Sequence, residues 1–289
     1  MTMADGSASR RRIRSVLTFA AFVLGVLVVW ESVKFVGGDP WRYFGWEWRP
    51  PLEIHFASDL LLPHVWQIGG ALLEPVQRLR TDSLGQFLVG AAFYTWREAA
   101  LGFVAGTILG IGLATAFVHS RLLERAFVPY VIASQTIPIV ALAPMIVFAF
   151  GTSIVSVAIV AMYLTFFPVT IAMIRGLRSP DPRALDLMRS YAASPWAIFW
   201  KLRMPASLPY LFTALKISAT ASIVGAIIGE GPGGVNDGLG RAIINFNNQY
   251  ISGPEKLWAT ILVAALLGIA SYLLVQIAEQ YTLRTAPAR

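Results

Sequence analysis

This sequence predicts an all-α polytopic membrane protein, with about six transmembrane helices and a short helical hairpin protruding between two of them. Three observations carry the prediction. First, apolar residues make up 56% of the chain and charged residues only 13%. A soluble domain carries about 25% charged residues. Second, the apolar residues fall in long runs, and about 20 helical residues cross a bilayer core. Third, lysine and arginine crowd the loops on one side of these runs, as span orientation requires. The net charge of +7 therefore reads as basic flanks of spans, and no nucleic-acid partner is expected. Cysteine is absent, which excludes disulfides and thiolate metal sites. No other metal or cofactor set is legible.

Residues 1–15 are a basic N-terminus, with Arg10, Arg11, Arg12 and Arg14. Residues 16–36 read as the first span. An uncleaved helix is favoured over a signal peptide, because no small-x-small cleavage site follows it. Glu31 and Lys34 are three residues apart and are expected to pair near the far interface. Residues 37–83 form an extracytoplasmic loop rich in tryptophan (Trp41, Trp46, Trp48, Trp66). Aromatic rings favour the bilayer interface. Residues 63–80 read as an interfacial amphipathic helix kinked near Pro75. Interfacial packing is the plainer reading of this loop, and substrate docking the other. His55 and His64 lack a partner at metal-ligand spacing and read as ordinary polar residues.

Residues 84–280 form the core. Its first helix runs from 84 to 118, and Gly102, Gly106 and Gly110 recur every fourth residue. Small residues at that spacing let helices approach closely. Arg97 and Glu98 are expected to snorkel at its outer end. Residues 126–150 are apolar but carry Pro129, Pro138 and Pro144. Gln135, Thr136 and Pro138 together are candidates for a pathway lining at a broken helix. A kink filled by packing explains them equally well. The next spans cover 154–174 and 210–229, the latter with Lys216 snorkelling near its inner end. Glu230 to Gly234 predict a loop, and 236–250 is polar. Residues 258–277 form the last span, and 281–289 a cytoplasmic tail.

The stretch from Asp181 to Pro209 separates two apolar runs. Asp181-Pro182 and Ser194-Pro195 are each a helix start signal, a capping side chain followed by proline at the first position. Two short helices follow, Pro182 to Tyr191 and Pro195 to about Met204, where Pro205 favours a break. Trp196, Phe199 and Leu202 recur at helical spacing and make one apolar, aromatic face. The pair is too short and too charged to span a bilayer. Basic residues around it (Arg175, Arg178, Arg183, Arg189, Lys201, Arg203) place it, and both termini, on the cytoplasmic side.

The hairpin carries a resemblance. Asp186-Leu187-Met188-Arg189-Ser190-Tyr191-Ala192, then Leu202-Arg203-Met204-Pro205, is similar to the cytoplasmic EAA motif of permease subunits of binding-protein-dependent ABC importers. That motif reads roughly E-A-A-x-x-x-G, then I-x-L-P. Asp186 stands at the acid and Pro205 at the closing proline. Leu187 and Met188 replace two alanines, and Ala192 replaces the glycine. Glycine there usually marks positive φ or a close approach, so the elbow is where this chain departs from the family. The stretch from Arg189 to Leu215 most resembles the nitrate, sulfonate, taurine and pyrimidine-precursor branch. The resemblance covers roughly Phe87 to Ala278.

The resemblance implies a type I ABC importer permease-like fold and a subunit of the plasma membrane. It implies a second permease chain, ATPase subunits that bind ATP-Mg, and an extracytoplasmic substrate-binding protein, all in membrane lipid. Coupling to the ATPase is then expected of Asp186, Ala192 and Pro205, which stand at motif positions, and of Arg189, Ser190, Trp196 and Phe199 beside them. Trp196 and Phe199 would be apolar anchors, or would simply seat their helix on the bundle. The substrate would be a small organic or oxyanion nutrient, such as a pyrimidine or vitamin precursor, a sulfonate, taurine or nitrate. The chain carries no phosphate loop, so ATP hydrolysis is assigned to a separate chain and this one is not read as an enzyme. No zinc-hydrolase, serine-hydrolase or paired-carboxylate signature appears. An ATP-independent secondary transporter is the alternative reading. It leaves the hairpin unexplained, and the deep acids of a proton or sodium relay are scarce. An intramembrane enzyme lacks any recognisable catalytic set.

Overall fold

The computed structural model describes residues 4–43, 46–52, 54–76, 82–231 and 237–285. Helices dominate: α1 (Ala4–Gly37), α2 (Val65–Ala71), α3 (Leu84–His119), α4 (Arg121–Ser134), α5 (Ile139–Phe150), α6 (Ile154–Leu177), α7 (Pro182–Ser190), α8 (Pro195–Ile198), α9 (Met204–Glu230), α10 (Leu239–Asn248) and α11 (Pro254–Thr285). One two-stranded ribbon, β1 (Trp41–Tyr43) and β2 (Trp46–Trp48), pairs antiparallel with Trp41 opposite Trp48. Among the described residues, five helical stretches are long and apolar enough to cross a membrane. The count is six if α4 and α5, bent by 99° at their junction, make one broken span. The chain divides into two compact units.

The first unit holds the chain up to Gly85, with Phe246–Ala259. Here the loop after α1 folds back onto the helix. Lys34 Nζ donates to Asp59 Oδ1 at 2.5 Å and to the Leu62 and Ala57 carbonyls. Glu31 accepts the Val65 N–H at 2.9 Å and contacts His64 Nδ1 at 2.7 Å. The expected Glu31–Lys34 pair is therefore not made; each residue is engaged by partners from the loop instead. His64, read from sequence as an ordinary polar residue, is buried and stacks on Trp66 with centroids 4.1 Å apart. Trp41 closes the same cluster edge-on at 4.7 Å. Burial pushes the His64 imidazole below its usual range, against the pull of the Glu31 hydrogen bond.

The expected interfacial helix over 63–80 is also shorter. α2 stops at Ala71, and a turn leads to an isolated bridge between Pro75 and Ser83. The Leu72 carbonyl is taken by the Gly85 N–H, which ends the helical ladder before the proline. Residues 77–81, where the rest of that helix was expected, lie outside the described residues.

The second unit holds Gln86–Asn245 and the chain from Thr260 onward, and α6 is its centre. Its neighbours reach it through small residues. A Cβ added at Gly102, Gly106 or Gly110 of α3 would lie 2.4–2.9 Å from Ala161, Thr165, Val169 or the α6 backbone. The expected close-packed stripe is therefore the α3–α6 seam. Backbones must approach this closely because lipid offers no hydrophobic drive between helices. From the other side α9 packs along α6, with Ile223 and Ala226 beside Val157. Lower down, Leu211 and Ala214 meet Val169, Met173 and Leu177.

Several expectations for this unit change. Lys216 does not snorkel; it donates to Glu279 of α11 at 2.8 Å, with both side chains largely buried. Glu230 is not in a loop but is the last residue of α9, and it is buried. Residues 232–236 lie outside the described residues, and the polar stretch after them is α10. Glu98 does not snorkel either. It shares the helical face of Gly102 and Gly106, so it points inward and is fully buried.

Candidate functional site

The α7–α8 hairpin folds as its caps dictate. Asp181 Oδ1 accepts the Arg183 N–H at 2.8 Å to start α7. Ser194 Oγ accepts the Ala197 N–H at 3.2 Å to start α8. Between them α7 ends in a left-handed cap. Ala192 has φ 52, the one non-glycine residue with positive φ among the described residues. Its N–H donates to the Arg189 carbonyl, and the Ala193 N–H to the Met188 carbonyl. That bond pair satisfies the last carbonyls of a helix and normally has glycine at its turning residue. The elbow is thus a turn of the kind that normally falls on glycine, here made on an alanine.

The expected break at Pro205 does not occur. A π-helical turn, Phe199–Arg203, joins α8 to α9 without interruption. Within it the Met204 N–H reaches back to the Phe199 carbonyl, five residues earlier. Pro205 follows in the first turn of α9. The ladder changes register there, so the missing proline N–H is accommodated rather than breaking the helix.

The candidate coupling residues separate into two groups. Asp186 and Arg189 pair at 3.3 Å on the exposed face of α7, and Ser190 closes that helix by donating to the Leu187 carbonyl. Trp196 is 69% exposed, stacked on Phe199 and edge-on to the exposed Trp200. Phe199 is only 5% exposed. It sits among Ala114, Val169, Met173, Leu177, Leu211 and Ala214, and meets His119 edge-on. Phe199 therefore seats the hairpin on the bundle, whereas Trp196 faces outward. A second fastening is the ion pair from Arg178, just before the hairpin, to Glu124 of α4 at 2.6 Å.

The candidate pathway residues meet at one corner. Gln135 caps the end of α4, and Thr136 turns back to the Ala133 carbonyl. Pro138 caps the start of α5. The Tyr163 hydroxyl of α6 donates to the Ser134 carbonyl, so the break is held by a neighbouring helix. The Gln135 side-chain nitrogen is buried without a hydrogen-bond partner.

One constellation was missed from sequence. Glu98 and Glu230 are both fully buried and interact; Thr95, one turn before Glu98, accepts the Leu239 N–H, and Glu230 accepts the adjacent Gly240 N–H. The residues are far apart in the chain, so no local spacing announces them. The signal that existed was the position of Glu98 four residues before Gly102, on the close-packing face.

The family described as "binding-protein-dependent transport system inner membrane component" matches residues 106–283. The chain belongs to this family of importer permeases. This permease is 34% identical over 226 residues to the formylaminopyrimidine transport permease protein ThiX of Halalkalibacterium halodurans, covering 74% of this chain and 88% of that one. It is 32% identical to the riboflavin transport system permease protein RibX of Chloroflexus aurantiacus, covering 82% and 91%. It is 26% identical to the putative aliphatic sulfonates transport permease protein SsuC of Bacillus subtilis, covering 79% and 87%. The inward-facing MetNI methionine ABC transporter shares the fold, with a TM-score of 0.50 at 23% identity over 71% of this chain and 96% of that one. This permease is thus a multi-pass subunit of an ABC importer with the type I fold.

Proposed function

We propose that this permease lines the substrate pathway with a second permease chain and takes its drive from separate cytoplasmic ATPases through the α7–α8 hairpin. The observation that carries the reading is the division of labour in the hairpin. Phe199 and the Glu124–Arg178 pair fasten it to the bundle, while Trp196, Trp200 and the Asp186–Arg189 pair stay exposed. A knob that transmits force needs both an anchored root and a free tip. ATP binding would close the ATPase pair and draw two such hairpins together; hydrolysis would reset them. The bend at Gln135 to Pro138 is the candidate for the moving part of the pathway. Both termini and the hairpin would face the cytoplasm, and an extracytoplasmic binding protein would deliver the substrate.

The substrate we favour is a flat nitrogen heterocycle, such as a pyrimidine or vitamin precursor. Two relatives above 30% identity are named for formylaminopyrimidine and riboflavin, while the sulfonate-named relative stands at 26%. Uptake by cells expressing the whole transporter tests the coupling. Trp196→Ala should reduce ATP-driven uptake at least tenfold with membrane levels unchanged. Unaltered uptake in that variant would remove the hairpin tip from the coupling path.

A further inference from the structure

We propose that Glu98 and Glu230 form a single proton-binding site, and that the bound proton latches the start of α10 to α3 and α9. Glu98 lies on α3 and Glu230 ends α9; both side chains are fully buried. Glu230 Oε2 accepts the Gly240 N–H at 2.5 Å. Glu230 Oε1 and both oxygens of Glu98 have no donor assigned to them; the Thr95 hydroxyl beside Glu230 directs its one proton to the Ala91 carbonyl at 3.1 Å. An ionised carboxylate only accepts. Two of them here would set like charges together out of water and leave three oxygens unmatched. One proton between them makes a short O–H···O⁻ bond. A single negative charge then remains, facing the Gly240 N–H.

The chain around the pair is shaped to close over it. Gly238 has φ +112, and a Cβ there would lie 2.5 Å from the Glu230 carboxyl carbon. A Cβ on Gly240 would lie 2.2 Å from the Ile227 carbonyl oxygen. Between them the Leu239 N–H donates to Thr95 Oγ1 at 2.9 Å. The first two N–H groups of α10 thus end on α3 and on α9. Among the described residues, the other titratable or charged groups near the pair are Tyr94 and Arg97 of α3, with Asp237, just before α10, acting on Tyr94. Arg97 and Asp237 are exposed. Loss of the shared proton restores the repulsion between the two acids and frees the start of α10.

The absence of native cysteine allows a direct test. Ala242 of α10 is buried and Asn245 is exposed. Each is changed singly to cysteine in the full chain, reconstituted in lipid nanodiscs, and its maleimide labelling rate is followed from pH 5.5 to 9. The ratio of the Ala242→Cys rate to the Asn245→Cys rate cancels the thiol's own pH dependence. The ratio should rise at least fivefold with pH. Glu98→Gln supplies a permanent amide donor to Glu230, so in that background the ratio should stay low at every pH. Glu230→Gln keeps an acceptor for Gly240 and a donor for Glu98, and gives the same expectation should Glu98→Gln fail to assemble. A ratio that is flat with pH in the parent, or that rises equally in the Gln variants, overturns the proposal. So does a ratio set by added sodium, magnesium or calcium at fixed pH.

Discussion

Ala192 shows how a single side chain can carry a left-handed turn at a cost. Its φ of 52 places a Cβ where L residues are disfavoured by about 1–2 kcal/mol. Glycine avoids that penalty but adds freedom to the unfolded chain. Ala192→Gly should therefore stabilise the permease by about 1 kcal/mol, read as a raised midpoint of thermal unfolding in detergent. An unchanged or lowered midpoint would mean the elbow is not strained. The sequence showed that a glycine position was occupied by alanine, but it could not say whether the backbone had changed to suit. Phe199 was equally ambiguous, because an aromatic stripe can face a partner or its own bundle. Its burial is decided by tertiary packing, since Phe199 meets Ala114, Met173 and Leu211 while Trp196, one turn earlier on the same face, stays exposed.

Among the elements, the α3–α6 seam was legible because its signal is local, three glycines at one helical spacing. A Cβ on Gly106 would meet Thr165 and the Met162 carbonyl at 2.6–2.8 Å, while Gly112 has open space. Gly106→Val should abolish recovery of folded protein, and Gly112→Ala should leave it unchanged; monodisperse yield by size-exclusion chromatography separates the two. The loop that folds onto α1 was not legible, because its pairs join residues about thirty positions apart. Sequence spacing offered Glu31–Lys34, and the fold chose Glu31–His64 and Lys34–Asp59. That loop should respond to pH. His64 is held below its unfolded value near 6.5, so its contribution to stability is complete above that pH. It is lost as pH falls through the lower, folded value. Tryptophan emission from the Trp41–Trp66 cluster should shift on acidification below about pH 6.5, and the shift should be absent in His64→Gln. An identical shift in that variant would assign the transition to another group.

For the molecule as a whole, composition and span length fixed the membrane class, and the EAA-like stretch fixed the family later found over residues 106–283. The substrate was not legible, since nearly all basic residues are explained by topology. The buried acids at Glu98 and Glu230 escaped notice for a related reason, because tertiary packing alone brings α3 and the end of α9 together. The central claim is that the hairpin tip joins this chain to an ATPase. Affinity purification of the tagged permease in mild detergent, with mass spectrometry of its partners, tests it most directly. The wild type should carry an ATPase with a phosphate loop, and Trp196→Ala should lose most of it while remaining folded. A permease that purifies alone, and still moves solute in liposomes without ATP, would contradict the account.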